Sequence, residues 1–150
     1  MTWLLHPSGD KFYQNLYSLT SIMIKIVASL QRLALRWRYS ASLPEEIAEA
    51  LGIILSNFCT FEEFMRRLSD ANASRPTKLY RFMPREEAET AFRPTALRME
   101  RFTQNTICSY YFHQGWVEFM LQFDENDRLR RIWLQHKSIP HPLGVEIALS

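Results

Sequence analysis

The segment Arg75-Pro76-Thr77-Lys78-Leu79-Tyr80-Arg81-Phe82-Met83-Pro84-Arg85 interleaves four bases with two aromatic residues and is the densest basic stretch of the chain. Cations beside exposed rings are the composition that holds phosphates and stacks bases. Arg75, Lys78, Tyr80, Arg81, Phe82 and Arg85 are therefore the candidate binding residues for a nucleic acid. A structural role competes with that expectation. Tyr80 and Phe82 would then anchor a connection to the core, and Arg85 would pair with Glu89 one helical turn on.

Other residue types offer less chemistry. His6, His113, His136 and His141 show no ligand spacing, and a zinc site needs three or four ligands with a supporting second shell, so no metal is expected. Cys59 and Cys108 form no CxxC pair. Cys108 reads as core filler in a strand, and Cys59 as a staple onto Phe64. The carboxylates gather at Glu45, Glu46 and Glu49, at Glu62 and Glu63, and at Glu86, Glu87 and Glu89. Each group falls in the first turns of an expected helix, where the dipole stabilises negative charge by about 0.3 to 1 kcal/mol, so catalysis is not needed to explain them. Glu118 would serve a paired-carboxylate hydrolase only by meeting an acid from elsewhere. Glycines at 9, 52, 115 and 144 are too dispersed for a phosphate-cradling loop, and no G-x-S-x-G elbow is present. No catalytic residue and no cofactor are assigned.

The elements that would position these groups follow from periodicity. From Phe12 to Trp37 the apolar residues Phe12, Leu16, Leu19, Met23, Ile26, Leu30, Leu33 and Trp37 recur at alternating steps of four and three, while Lys25, Arg32 and Arg36 lie opposite. This is an amphipathic helix. Ser42-Leu43-Pro44-Glu45 reads as a capping box with Ser42 as cap, followed by Ile47, Ala50, Leu51 and Ile54 at helical spacing up to an end near Gly52. Thr60 caps a third helix through Phe64, Met65 and Leu68, ending near Asp70. Residues 71–83 connect it to a short helix from Pro84 to Phe92, stopped by Arg93-Pro94.

After Asn105 the period becomes two. Thr106 to Phe112, Trp116 to Phe123 and Leu129 to Lys137 have strand length, with His113-Gln114-Gly115 and Asp124 to Arg128 as hairpin joints. In the middle strand Val117, Phe119, Leu121 and Phe123 share one face. Leu129, Ile132, Trp133 and Leu134 break parity, which calls for a bulge or burial on both faces. Residues 95–102 fit a strand or a helical turn, and Val145 to Leu149 fits an added edge strand.

With 150 residues, 47% of them hydrophobic and 23% charged, the chain suits one α+β domain: a helical part over about 12–92 and a sheet part over about 106–137. Three or four N-terminal helices are expected on one face of a three- to four-stranded antiparallel meander. Leu19, Met23, Ile26, Leu30, Leu33, Phe64, Leu68, Val117, Phe119, Leu121 and Ile132 form its expected core. The net charge of +2 does not by itself imply a polyanion partner, but the bases up to Leu43 face only Asp10.

The longest uncharged apolar-rich run, Phe12 to Ile24, is thirteen residues, whereas a membrane span needs about twenty. No transmembrane segment is expected. Lys25, which would fall inside the apolar region of a signal peptide, and Asp10, which cancels Lys11 ahead of it, also argue against one, and the low cysteine usage suits a reducing, cytoplasmic setting.

The first function expected is a non-enzymatic protein-binding, adaptor or assembly module. Its first helix, through Leu19, Lys25, Arg32 and Arg36, either lies across the sheet or presents a seam to a second copy or another protein. Nucleic-acid binding through 75–85 is the second expectation. The third is a small enzyme or small-molecule binder with a pocket between sheet and helices, lined by Tyr110, Trp116, Trp133 and His136.

Overall fold

A computed structural model describes residues 8–38, 41–55, 60–70 and 75–150, with side chains described for 14–28, for 30 and from 41 onward within those ranges. It divides into two compact units, 1–38 and 39–150.

The first unit holds helix α1, Ser8–Arg38. Its residues Leu16, Leu19, Met23, Ile26 and Leu30 are all exposed, Leu19 by 59%. This corrects the expectation that Leu19, Met23, Ile26 and Leu30 belong to the core. The period identified an apolar face but carried no information on what covers it. The side chains of Leu33, Arg32 and Arg36 lie outside the described set.

In the second unit, helices α2 (Pro44–Leu51), α3 (Phe61–Ser69) and α4 (Arg85–Phe92) precede five strands: β1 (Arg98–Arg101), β2 (Asn105–Phe112), β3 (Gly115–Phe123), β4 (Leu129–Gln135) and β5 (Val145–Ile147). The strands form one antiparallel meander in the order β1-β2-β3-β4-β5. The α+β class is as the sequence predicts, with residues 98–101 resolved as strand and the tail supplying the fifth strand.

Helix α2 begins one residue later than the Ser42 box implies. Leu43 precedes a proline, which excludes helical backbone there, and it is extended at φ −122°, ψ 148°. Pro44 is thus the first helical residue, and Glu46 rather than Glu45 reaches back to accept the Leu43 N–H at 3.2 Å. Ser42 is freed for another task. Its N–H donates to the Tyr111 carbonyl at 2.9 Å and its hydroxyl accepts the Tyr111 N–H at 3.0 Å, tying the start of α2 to β2. At the other end Gly52 takes the left-handed conformation, φ 73°, that ends the helix, so Ile54 falls beyond it and is exposed. Thr60 caps α3 as expected, its hydroxyl accepting the Glu63 N–H at 3.2 Å. Cys59 and its expected staple lie outside the described residues.

The core is closed by Ile47, Ala50 and Leu51 of α2, Phe64, Met65 and Leu68 of α3, and Ala88 and Phe92 of α4 against one face of the sheet. Val117, Phe119, Leu121 and Phe123 alternate inward along β3, as period two requires. Phe119 sits at the centre, its ring 5.6 Å from Phe92 and 5.9 Å from Tyr110. The parity break in β4 is a bulge: Gln122 faces Arg131 and Phe123 faces Leu129, leaving Arg130 as the extra residue. The strand ends at Gln135, two residues short of Lys137.

Candidate functional site: a basic and aromatic ridge

The segment from Arg75 to Arg85 is divided by burial. Leu79 and Met83 are fully buried and hold the chain to the core. Between them Tyr80, Arg81 and Phe82 project outward, Phe82 as a residue 50% exposed. This turn is stitched to the start of β4: the Phe82 N–H donates to Leu129 O at 2.7 Å, the Leu129 N–H to Met83 O at 2.9 Å, and the Arg85 N–H to Asp127 O at 2.8 Å. A bridge between Pro84 and Arg128 continues the pairing.

The stitching brings together two basic stretches that are far apart in sequence. Arg81 from the turn and Arg130 and Arg131 from β4 line one open cleft of about 330 Å³, with Glu146 of β5 on its wall. Arg130, projected by the bulge, stacks its guanidinium 4.6 Å from the centroid of Phe82 and pairs with Asp124 at 3.3 Å. Arg131 reaches Glu146 only at 4.0 Å. Among the described residues, neither Arg81 nor Arg128 has a carboxylate within ion-pair distance.

Phe82 has φ 68°, a left-handed backbone that costs a residue with a Cβ about 1 to 3 kcal/mol. The neighbouring Tyr80 donates its hydroxyl to Glu87 at 3.3 Å, and partial burial followed by the Glu87 carboxylate raises the phenol above its usual pKa, so it stays a donor. The arrangement offers an exposed aromatic side chain, two cations with no carboxylate within ion-pair distance, Arg131 held only at 4.0 Å, and Arg130 already paired with Asp124. Chemically that suits an anion attached to a flat group.

The remaining predicted residues go elsewhere. Arg75 and Lys78 are exposed, but residues 77 and 78 are pinned to the end of α2 through their N–H groups and Leu51 O, at 3.0 and 3.2 Å. Arg85 is a correction. It is buried, and its guanidinium donates to Glu89, to the carbonyls of Phe102, Thr103 and Asn105, to Thr106 and to Asp127. With its donors committed inside the fold it is not on the ridge. Sequence reading missed Arg128, Arg130 and Arg131; the run Arg128-Leu129-Arg130-Arg131, at the strand whose parity broke, was the available signal.

Tyr110, Trp116, Trp133 and His136 do not form one pocket. Tyr110 is fully buried on the core side, its hydroxyl 2.8 Å from that of Thr95, whereas Trp116 and Trp133 point to the opposite face of the sheet. His136 lines a cleft of about 430 Å³ with Phe61 and Met65 of α3. Both its ring nitrogens are engaged, Nε2 donating to Gln114 O at 2.9 Å and Nδ1 accepting the Ser138 N–H at 3.1 Å. That is a structural histidine.

On the outer face Trp116, Glu118, Gln135 and His141 border a more open cleft of about 620 Å³. Glu118 meets a base there rather than a second acid: it pairs with Arg98 at 3.7 Å and accepts the Ser109 hydroxyl at 3.2 Å. No group of three or more His, Cys, Asp or Glu able to hold a metal occurs among the described residues. Cys108 is fully buried, and burial followed by the charge of Glu89 raises its thiol to about 12, so it is a poor nucleophile.

In α1, Lys25 is exposed opposite the apolar stripe, and Thr20, Met23, Ile24, Val27 and Ala28 form an open apolar groove of about 400 Å³. No helix of the described residues is long and apolar enough to cross a membrane. No family model matches the chain, nor does any curated protein or solved structure.

Proposed function

We propose that the protein is a non-enzymatic assembly module that associates with copies of itself through α1. The observation that carries this reading is the exposed stripe Leu16, Leu19, Met23, Ile26 and Leu30, whose steps of three and four average the 3.5 residues that keep a seam facing a partner helix. Phe12, Leu33 and Trp37 extend the same steps in sequence. Thr20, Met23, Ile24 and Val27 stand at i, i+3, i+4 and i+7 around the groove, the four positions that make a hole for an incoming side chain.

Charge supports a partner of the same kind, since Lys25, Arg32 and Arg36 fall on the opposite arc and leave the stripe neutral. A two-helix seam would leave Ile22, Ile24 and Val27 wet, forfeiting on the order of 1 kcal/mol or more for each. A bundle of three or more copies covers them. A cytoplasmic setting belongs to the same reading and is supported by Cys108, a free buried thiol.

Sedimentation of the full chain tests it. The expected result is a concentration-dependent oligomer that Leu19→Glu converts to a monomer with an unchanged sheet signature in circular dichroism. A monomer at about 100 μM protein, the upper end of ordinary weak self-association, sinks the proposal. So does a monomer that binds anionic vesicles through the same helix, which would make α1 an interfacial helix instead.

A further inference from the structure

We infer that the ridge of Arg81, Phe82, Arg128, Arg130 and Arg131 is a binding site for single-stranded nucleic acid. This lies outside the assembly role and uses none of the residues of α1. Three observations converge on it. Bases from two distant parts of the chain share one cleft, and Arg81 and Arg128 lack ion-pair partners among the described residues.

The third observation concerns Phe82. A bulky residue is held half-exposed in a left-handed backbone, where a glycine would serve the turn better. Strain of that kind, kept at an exposed aromatic beside cations, is what a stacking platform needs: the ring receives a base and the guanidiniums receive the flanking phosphates. Unpaired strands are favoured because a base inside a duplex has no free face to offer. A cleft of about 330 Å³ is near the lower bound for a ligand site, which fits one nucleotide unit rather than a folded partner.

The test is fluorescence anisotropy of the full chain with labelled single-stranded oligo-dT and oligo-U of about 12 bases. Binding should weaken steeply between about 50 and about 200 mM salt, with a slope near 0.7 for each phosphate contacted. Phe82→Gly relieves the backbone, so its melting temperature should hold or rise while affinity falls about tenfold. Arg81→Ser, at an exposed side chain, should lower the salt slope by about 0.7. It decides the matter if Phe82→Gly does not fold.

Three results overturn the inference. One is no anisotropy change at about 50 μM protein, a concentration above usual non-specific dissociation constants. Another is equal binding by Phe82→Gly, if folded, and Arg81→Ser. The last is competition by inorganic phosphate or phosphatidylglycerol vesicles at the same charge concentration, which makes the ridge a simple anion or lipid contact. Because Leu19→Glu leaves the ridge intact, failure of assembly and failure of this site are separable.

Discussion

The Nε of Arg85 and a carboxylate oxygen of Glu89 meet at 3.0 Å across one turn of α4, with side-chain exposures of only 5% and 3%. The same carboxylate accepts the Thr106 hydroxyl at 2.7 Å, and the Arg85 guanidinium lies 4.8 Å from the Phe123 ring centroid. The pair thereby fastens the start of α4 to the β1–β2 turn, because Arg85 donates to the carbonyls of Phe102 and Thr103 and adds a second donor to that of Asn105, which also accepts the Phe102 N–H.

Removing Arg85 leaves the buried Glu89 carboxylate only Arg101 at 3.4 Å and Arg93 at 3.9 Å, both on largely exposed side chains, and takes a donor from three carbonyls. Arg85→Met is expected to destabilise the fold by about 3 to 5 kcal/mol in urea denaturation. Arg85→Lys should recover little, since an ammonium cannot reach three carbonyls and a carboxylate at once. A loss under about 1 kcal/mol for Arg85→Met would show that the network contributes specificity without stability.

Phe119 and Leu19 differ in what covers them. Phe119 is fully buried between Phe92 and Tyr110, so truncation to alanine should cost about 3 to 5 kcal/mol. Leu19 is mostly exposed, and Leu19→Ala in dilute solution should shift the main transition by no more than about 0.5 kcal/mol. Comparable losses would place Leu19 in the core after all.

Alkaline pH should weaken the fold through Cys108 and Tyr110. Burial raises the Cys108 thiol from 9.0 to about 12, and raises the Tyr110 phenol above its ordinary 10.0. Between pH 9 and 12 the unfolded thiol has lost a proton that the folded one keeps, so stability is full below 9 and falls as pH rises. The folding constant should drop up to tenfold per pH unit for this group. Cys108→Ala should flatten that limb in pH-jump denaturation; an unchanged slope would assign it to other groups.

Gly144 stands at φ 90°, where an added Cβ would collide with the carbonyl of Leu134. Gly144→Ala must therefore shift β5 away from β4, or strain the backbone. The expected cost exceeds the roughly 0.5 kcal/mol typical of surface substitutions, with faster amide exchange at the β4–β5 pairs. Unchanged exchange there would show that the loop yields without disturbing the strand.

Much of the fold was legible locally. Alternation along Val117 to Phe123, the broken parity at Leu129 to Leu134, and Thr60 and Gly52 at helix ends each report on neighbours within a turn or a hairpin. Where local logic failed, a distant group competed for the same atom. The hydroxyl of Ser42 went to Tyr111, sixty-nine positions away, because Pro44 denied Leu43 a helical backbone.

The candidate site was only half visible. Tyr80, Arg81 and Phe82 were exposed as a binding role requires, but Arg85 was drawn into the core, and Arg130 and Arg131 joined the cleft from across the chain. Nothing in the spacing of residues 75–85 separates a solvated arginine from a buried one. The sequence alone determined which face of most elements was apolar and placed the ends of α2, α4 and the strands β2 to β4 to within about two residues, because those follow from backbone periodicity and capping. Tertiary structure decided which of those faces were covered and which cations stayed in water, since burial is set by contacts between residues that the chain brings together only on folding.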